Sequence, residues 1–297
     1  MKQLDPLLKP NVEADRLHYA TGELLGADDF RDEQTYHRRQ LARALLFLQG
    51  SGTIAGLRVV ARPLPASGAS PEDVEIAVEP GLALDRVGRL IEVPRDACIR
   101  LRRWYEFIAD QPPNSDGLDV DDLRTAFHAG AGLVIADVYL TFHPCDRGYT
   151  PAFASGPFDA LDASQPSRVR DAYELSLVPR SELDPVSAFD PWAKIHDAPA
   201  ADRFEAALTA SLDAWSTLAI PAPDTLPEAQ NPPGVDPTAV LLARLSIPAA
   251  NNPGGAPTPD WTAATWADNA PGDNPNIDNA VRNFLLPPAA IRHLLTP

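Results

Sequence analysis

Apolar positions repeat most regularly between Leu24 and Val60, LLGADDFRDEQTYHRRQLARALLFLQGSGTIAGLRVV. Phe30, His37, Leu41, Leu45 and Leu48 recur at helical spacing and mark one face of a 3.6-residue period. Asp32, Glu33, Arg38, Arg39 and Arg43 fall elsewhere and are expected to stay in water. Gly26 is the expected N-cap, and Asp28 and Asp29 put negative charge where the helix dipole favours it. Gly50 and Gly52 end the helix, since either can adopt the left-handed backbone of a C-terminal cap. Thr53 to Arg62 then has the β-prone residues of a strand, and Gly56 within it predicts a bulge or a close backbone approach. Gly50-Ser51-Gly52 is not a phosphate loop. Such loops run from strand into helix, and no Lys-Ser/Thr follows these glycines.

Downstream the period changes to two. Val74, Ile76 and Val78 alternate with acids, Pro80-Gly81 turns, and Leu82 and Leu84 lead into a hairpin turn at Asp85 to Gly88. Leu90, Ile91 and Val93 return, and Ile99 and Leu101 begin another strand. With Thr53 to Arg62 this predicts an antiparallel meander of four or five strands, Asp85 and Arg86 being solvated turn residues. Trp104 to Ile108 reads as one helical turn. Leu133 to Phe142 is a nearly continuous apolar run, the pattern of a strand covered on both faces. After a long loop from Pro151 to Pro166, Val169, Tyr173, Leu175 and Leu177 mark a strand expected to pair with it. Phe204, Leu208, Leu212, Trp215 and Leu218 stripe a second helix over 200–218, and Ala239 to Ile247 is a further strand. Pro287-Pro288 is placed to start a short helix, Ala289 to Leu295.

The pattern predicts an α+β, mainly β fold: antiparallel meander, sandwich or barrel-like sheets with an N-terminal amphipathic helix, a second helix near 200–218 and long proline-rich loops. Residues 1–23 form an arm, 24–109 a helix-plus-meander unit and 130–297 a second β-rich part, which can be continuous with the first.

Composition narrows the function more than the fold. A net charge of −16 argues against duplex nucleic acid or an anionic membrane as partner, because both need a basic face. The 32 prolines exceed the usual share of about 5% and imply many turns and irregular connections. No apolar run approaches the ~20 residues that span a bilayer, and the N-terminal residues lack a signal-peptide core, so synthesis in the cytosol is expected. Cys98 and Cys145 are expected to be reduced thiols.

Candidate chemistry is sparse. The six histidines are scattered, and only His37 falls on the apolar helix face, where a core role is expected. His143-Pro144-Cys145 has no second pair to complete a metal site. The acidic stretch Asp110 to Asp122 lacks the spacing of a calcium loop and reads as exposed. The motifs of nucleotide, serine-hydrolase and zinc-protease sites are not found in the sequence. No catalytic, cofactor-binding or metal residue is therefore assigned. The assigned residues are a scaffold of turns, Gly50, Gly52, Gly56, Gly81, Asp85 and Gly88, and two tryptophans, Trp261 and Trp266. These two are taken as loop anchors or as an interface or ligand platform.

The order of these blocks resembles a family encoded in contractile injection system, phage-tail-like gene clusters. The likeness is carried by Gly22, Leu24 and Leu25, Asp29-Phe30, Glu33-Gln34, Tyr36-His37 and Leu41. It continues through Gly50, Gly52, Gly56-Leu57 and Val59, and then Val78, Pro80-Gly81, Ala83, Asp85 and Gly88-Arg89. Ser167 to Arg170 with Tyr173 to Leu175, and Leu241 to Leu245, are similar to two further blocks. Gly26 stands where the family often has Thr or Ser, a change confined to the helix cap. The resemblance implies a non-enzymatic particle component of the baseplate, fibre or cap region, without a cofactor. It would assemble with other particle proteins and with itself, and could be released with the particle. The alternatives are a module binding a surface glycan or protein, motivated by the five tryptophans, and a hydrolase with an unrecognised carboxylate pair.

Overall fold

The computed structural model describes residues 15–66, 72–115, 117–151, 164–183, 195, 197–218, 231, 235–262, 264–266, 274–288 and 290–291. Most of the predicted arm, the long loop within 152–163, most of the proline-rich linkers and most of the predicted C-terminal helix lie outside them. Among the described residues there are four helices and a set of antiparallel sheets, so the fold is α+β and mainly β.

Helix α1 spans Ala27–Gln49. It is followed by β1 (Gly52–Gly56), β2 (Val59–Leu64), β3 (Asp73–Val78), β4 (Gly81–Leu84), β5 (Leu90–Val93) and β6 (Ala97–Arg100). The predicted single meander is corrected here. The Thr53–Arg62 strand breaks at Gly56 and Leu57, whose φ values of 63° and 58° lie in the left-handed region that an extended strand cannot contain. Its halves join different three-stranded sheets, β1-β4-β5 and β2-β3-β6. Glycine is required on both sides of the break. A Cβ on Gly56 would lie 2.1 Å from the Pro80 carbonyl oxygen, and one on Gly81 would lie 2.3 Å from that of Ala55.

Helix α2 (Leu101–Ala109) is longer than the one turn predicted and takes Leu101 from the expected strand. Helix α3 (Val120–Thr125) is an addition within the acidic stretch. The Asp119 carboxylate caps it by accepting from the Asp121 N–H at 2.8 Å, and Asp122 reaches back to the Asp119 N–H at 2.8 Å, a reciprocal capping box.

The largest sheet is built on β8 (Leu133–Pro151). On one side β8 pairs with β10 (Val240–Ala250), in register from Val240↔Leu140 to Pro248↔Leu133. On the other it pairs with the two-residue β7 (Phe127–His128) and with β9 (Ser164–Pro179), from Ala136↔Pro179 to Pro151↔Ser164. Short strands β11 (Thr258–Pro259) and β12 (Ile277–Asp278) border β10. Val134 to Leu140 are buried on both faces, as the unbroken apolar run requires. Val134, Ala136, Val138, Leu140 and Phe142 enter the main core with Val59, Ile76, Ile91, Leu101, Tyr105 and Ile108, so one continuous core unites residues from both predicted parts. Tyr139 forms a second cluster with Ala239 and Leu241.

Helix α4 (Arg203–Leu218) meets α1 through Ala214 against Leu46, with Phe47 alongside. The α1 stripe requires the main correction. Phe30, Leu41 and Leu48 are exposed, Leu48 at 78%, and the predicted core residue His37 is exposed near Glu33. The buried residues of α1 are Arg39, Ala42 and Leu46. The reason is the Asp85–Arg89 turn: a Cβ on Gly88 would stand 2.0 Å from the Ala42 carbonyl oxygen, so the turn lies directly on the small-residue side of the helix.

Candidate functional site

The assigned turn residues converge on the region where α1, the 50–60 segment and the 85–89 turn meet, and sequence-distant residues fix them there. Gly50 ends α1, its N–H donating to the Leu46 carbonyl at 2.8 Å. Gly52 lies against the backbone of Asn283. The Thr53 N–H donates to the Asn283 carbonyl and the Leu285 N–H to the Thr53 carbonyl, both at 2.8 Å. The Asn279 carboxamide does for Val59 what a neighbouring strand would do: it accepts from the N–H and donates to the carbonyl, each at 2.9 Å. Arg282 Nη1 donates to the Leu57 carbonyl at 2.6 Å. Burial, with Arg58 nearby, lowers the Arg282 guanidinium to about 10, still protonated at neutral pH. The glycines therefore serve chain reversal and backbone contact.

Asp85 and Arg86 are not solvated, as the turn signal had implied. Asp85 is fully buried, and Oδ1 accepts from the Val87 and Arg89 N–H groups at 3.0 and 2.8 Å. Oδ2 accepts from Arg89 Nε at 2.6 Å. Burial raises the carboxyl pKa against the opposing pull of Arg89 and these N–H groups. Arg89 continues to Thr238 Oγ1 at 2.9 Å and lies 4.6 Å from the centre of the Phe142 ring. The turn is thus tied to β8 and to the approach to β10. The Asp85-x-x-Gly88-Arg89 spacing was the available sequence signal: an acid and a base four residues apart across a glycine turn can bury together.

A second buried charge cluster lies in the large sheet. Arg244 grips Asp137 with two parallel bonds, Nε to Oδ1 at 2.8 Å and Nη2 to Oδ2 at 3.0 Å. Arg180 stands 3.5 Å from Asp137 Oδ2 and donates to the Tyr139 hydroxyl at 2.9 Å. Asp85 and Asp137 are each held by arginine, an arrangement suited to fixing structure.

Trp266 is fully buried, with Nε1 donating to the Asp260 carbonyl at 2.8 Å, so its ring offers no face to a ligand. Trp261 is half-buried and meets Tyr105 edge-on, ring centres 5.8 Å apart. The two tryptophans act as anchors of their loop. Both cysteines are free thiols. Among the described residues no group of three or more His, Cys, Asp and Glu is placed to hold a metal, and no helix is long and apolar enough to cross a membrane. No protein-family model matches the chain, and no curated protein does either.

The surface holds what the interior does not explain. Along α1, Phe30, Leu41 and Leu48 are exposed, and along α4 so are Phe204, Leu208 and Leu212, at 76, 52 and 83%. Leu46 packs on Ala214 with Phe47 alongside, an apolar contact that does not include these stripes, which stay exposed among the described residues. Runs of large apolar side chains on one helix face mark interaction surfaces more often than accidents.

Proposed function

We propose that the protein is a non-enzymatic assembly component, working through protein–protein contacts in a contractile, phage-tail-like particle of the kind its motif order resembles. The observation that carries this reading is the pair of exposed apolar stripes on α1 and α4. A helix face repeating Phe and Leu at helical spacing gains free energy when another subunit covers it. The body beneath is built for rigidity: buried ion pairs, glycine-mediated backbone contacts and a 279–285 segment that bonds the backbone of Thr53, Leu57 and Val59. A rigid body with apolar helical ridges suits lateral docking into a larger structure. Co-expression with the sheath and tube proteins of a contractile injection system tests this. Stoichiometric co-purification is expected, together with its loss when Leu41, Leu48, Leu208 and Leu212 are replaced by lysine. Retained co-purification of that variant, or failure of the wild type to co-purify, overturns the reading.

A further inference from the structure

Beyond the end of β10 the β8–β9 pair continues, Phe142 still in the core, and from Pro144 on it is a two-stranded ribbon with no third strand among the described residues. The last β10 partner of β8 is Leu140, but β8 and β9 stay in register out to Pro151↔Ser164. From Pro144 the β8 half extends for about 26 Å at strand rise. Nearly every described side chain on it is exposed, including Tyr149 at 69% and Val169 at 64%. Because residues directly opposite share a face, Cys145↔Arg170, Arg147↔Arg168 and Tyr149↔Pro166 stand on one side of the ribbon. That side carries three arginines in a row, two of them cross-strand neighbours. Among the described residues no side-chain hydrogen bond or ion pair joins any of the three to a neighbour.

In a chain of net charge −16 this row concentrates positive charge on one side of the ribbon. Like charges directly opposite on a ribbon destabilise it, and a two-stranded ribbon without a core is marginal alone. Arginine beside tyrosine is also the composition of binding hot spots. The geometry points to a second copy of this chain as the occupant: the cationic ribbon face of one copy docks on the acidic first turns of α1 of the next. Asp28, Asp29, Asp32 and Glu33 lie within six residues there; Arg31 among them bonds Asp28 at 2.6 Å, so four carboxylates against one arginine leave the patch acidic, and the half-exposed Phe30 sits there to receive Tyr149. Charge complementarity favours the chain's own acidic surface over a polyanion such as single-stranded nucleic acid. The acidic body would repel an extended polyanion beyond the ribbon. The contact joins two different patches, so it is head-to-tail and propagates into a ring or a filament. It uses a surface distinct from the apolar stripes, and it extends the assembly reading without depending on which particle proteins are present.

Two variants of the full chain test it by sedimentation velocity. R147E/R168E/R170E removes the donor face, and the new glutamates at 147 and 168 preserve a like-charge pair, so the ribbon itself is not relieved. Asp28→Lys with Asp32→Lys removes the receiver and leaves Asp29, which bonds the Gly26 N–H at 2.7 Å, in place. The wild type is expected to sediment as oligomers larger than a dimer at about 0.05 M salt and as monomer near 0.5 M, where the Debye length shrinks to about 4 Å. Each variant alone is expected to be monomeric at low salt, with an unchanged far-UV circular dichroism spectrum. Their equimolar mixture is expected to regain oligomers larger than a dimer, because the native faces pair as before and the reversed glutamate and lysine faces complement each other as well. A wild type that is monomeric at low salt overturns the proposal, as does either variant still associating or the mixture failing to pair. Tight binding of a fluorescein-labelled single-stranded oligonucleotide by the wild type, lost in the arginine variant, overturns it in favour of a polyanion. If homo-association fails while co-purification with sheath and tube proteins holds, this inference falls and the assembly reading stands.

Discussion

Two hairpins in this protein carry arginines and treat them in opposite ways. In the Asp85–Arg89 turn, Arg89 is buried beside an equally buried carboxylate, its guanidinium bonded to Asp85 and Thr238 and stacked near Phe142. In the distal β8–β9 ribbon, Arg147, Arg168 and Arg170 stand in solvent with no carboxylate bonded to them among the described residues. The first arrangement closes on itself. Desolvation is offset within the chain, and the turn becomes the plate on which α1 rests through Gly88 and Ala42. The second is open, with charge and aromatic surface presented and no side chain among the described residues bonded to the three arginines. The same contrast separates the sheet interior, where Asp137 is shared by two arginines, from the helices, whose leucines face water. The charges that are satisfied within the chain and the side chains left exposed therefore occupy different parts of the molecule.

Breaking the closed side should cost most. Asp137→Ala leaves Arg244 and Arg180 buried without their shared carboxylate and is expected to destabilise by about 3–5 kcal/mol, read from urea unfolding. Adding Arg244→Met should recover part of that loss, because a buried charge then disappears with its partner. If the single and double variants are equally unstable, the damage lies in packing and not in unpaired charge. Next comes Gly88→Ala. The backbone there has φ +82°, and the new Cβ would overlap the Ala42 carbonyl, so α1 must shift off the turn. The expected cost is roughly 2–4 kcal/mol, within the range of named core and backbone mechanisms. Faster hydrogen exchange in α1 than in β8 would show where it falls.

Much of the closed side was legible in the sequence. The apolar run of β8 has the pattern of a strand covered on both faces, the β10 segment reads as a strand, and Gly56 marked the place where its own strand is interrupted by a close backbone approach. The Asp119-x-x-Asp122 capping box of α3 was readable but masked by the acidity around it. What escaped the pattern was coverage. Helical spacing says that Phe30, Leu41 and Leu48 share a face, not that anything lies against it. Ala42 is too small to register in a hydrophobic stripe, yet smallness is what lets the Gly88 turn approach. Turn chemistry made Asp85 look wet because a turn signal carries no information about what packs over it. Trp266 entered the core through a loop with no period at all.

On the open side the effects shrink. Replacing Arg147 and Arg168 together with glutamine removes the directly opposed like-charge pair and is expected to stabilise the isolated chain, by about 0.2–1 kcal/mol. A loss of stability of that size would mean that the arginines support the ribbon in ways their exposure does not reveal.

The smallest stability effect is the one that bears most on the comparison. Leu41→Lys with Leu48→Lys places two charges on the α1 stripe. A buried leucine pair replaced in this way would cost several kcal/mol, since each loses its transfer free energy and leaves a charge in the core. These two are exposed at 57 and 78%, so the expected change is within about 0.5 kcal/mol, measured by thermal and urea unfolding. Solubility should rise, because an apolar stripe has become a charged one. A double variant that unfolds readily would place the stripe in contact with residues of its own chain, and the division between a self-sufficient interior and an outward-facing helix would fail. A variant that is as stable as wild type but no longer co-assembles would show that the leucines are kept for a neighbour.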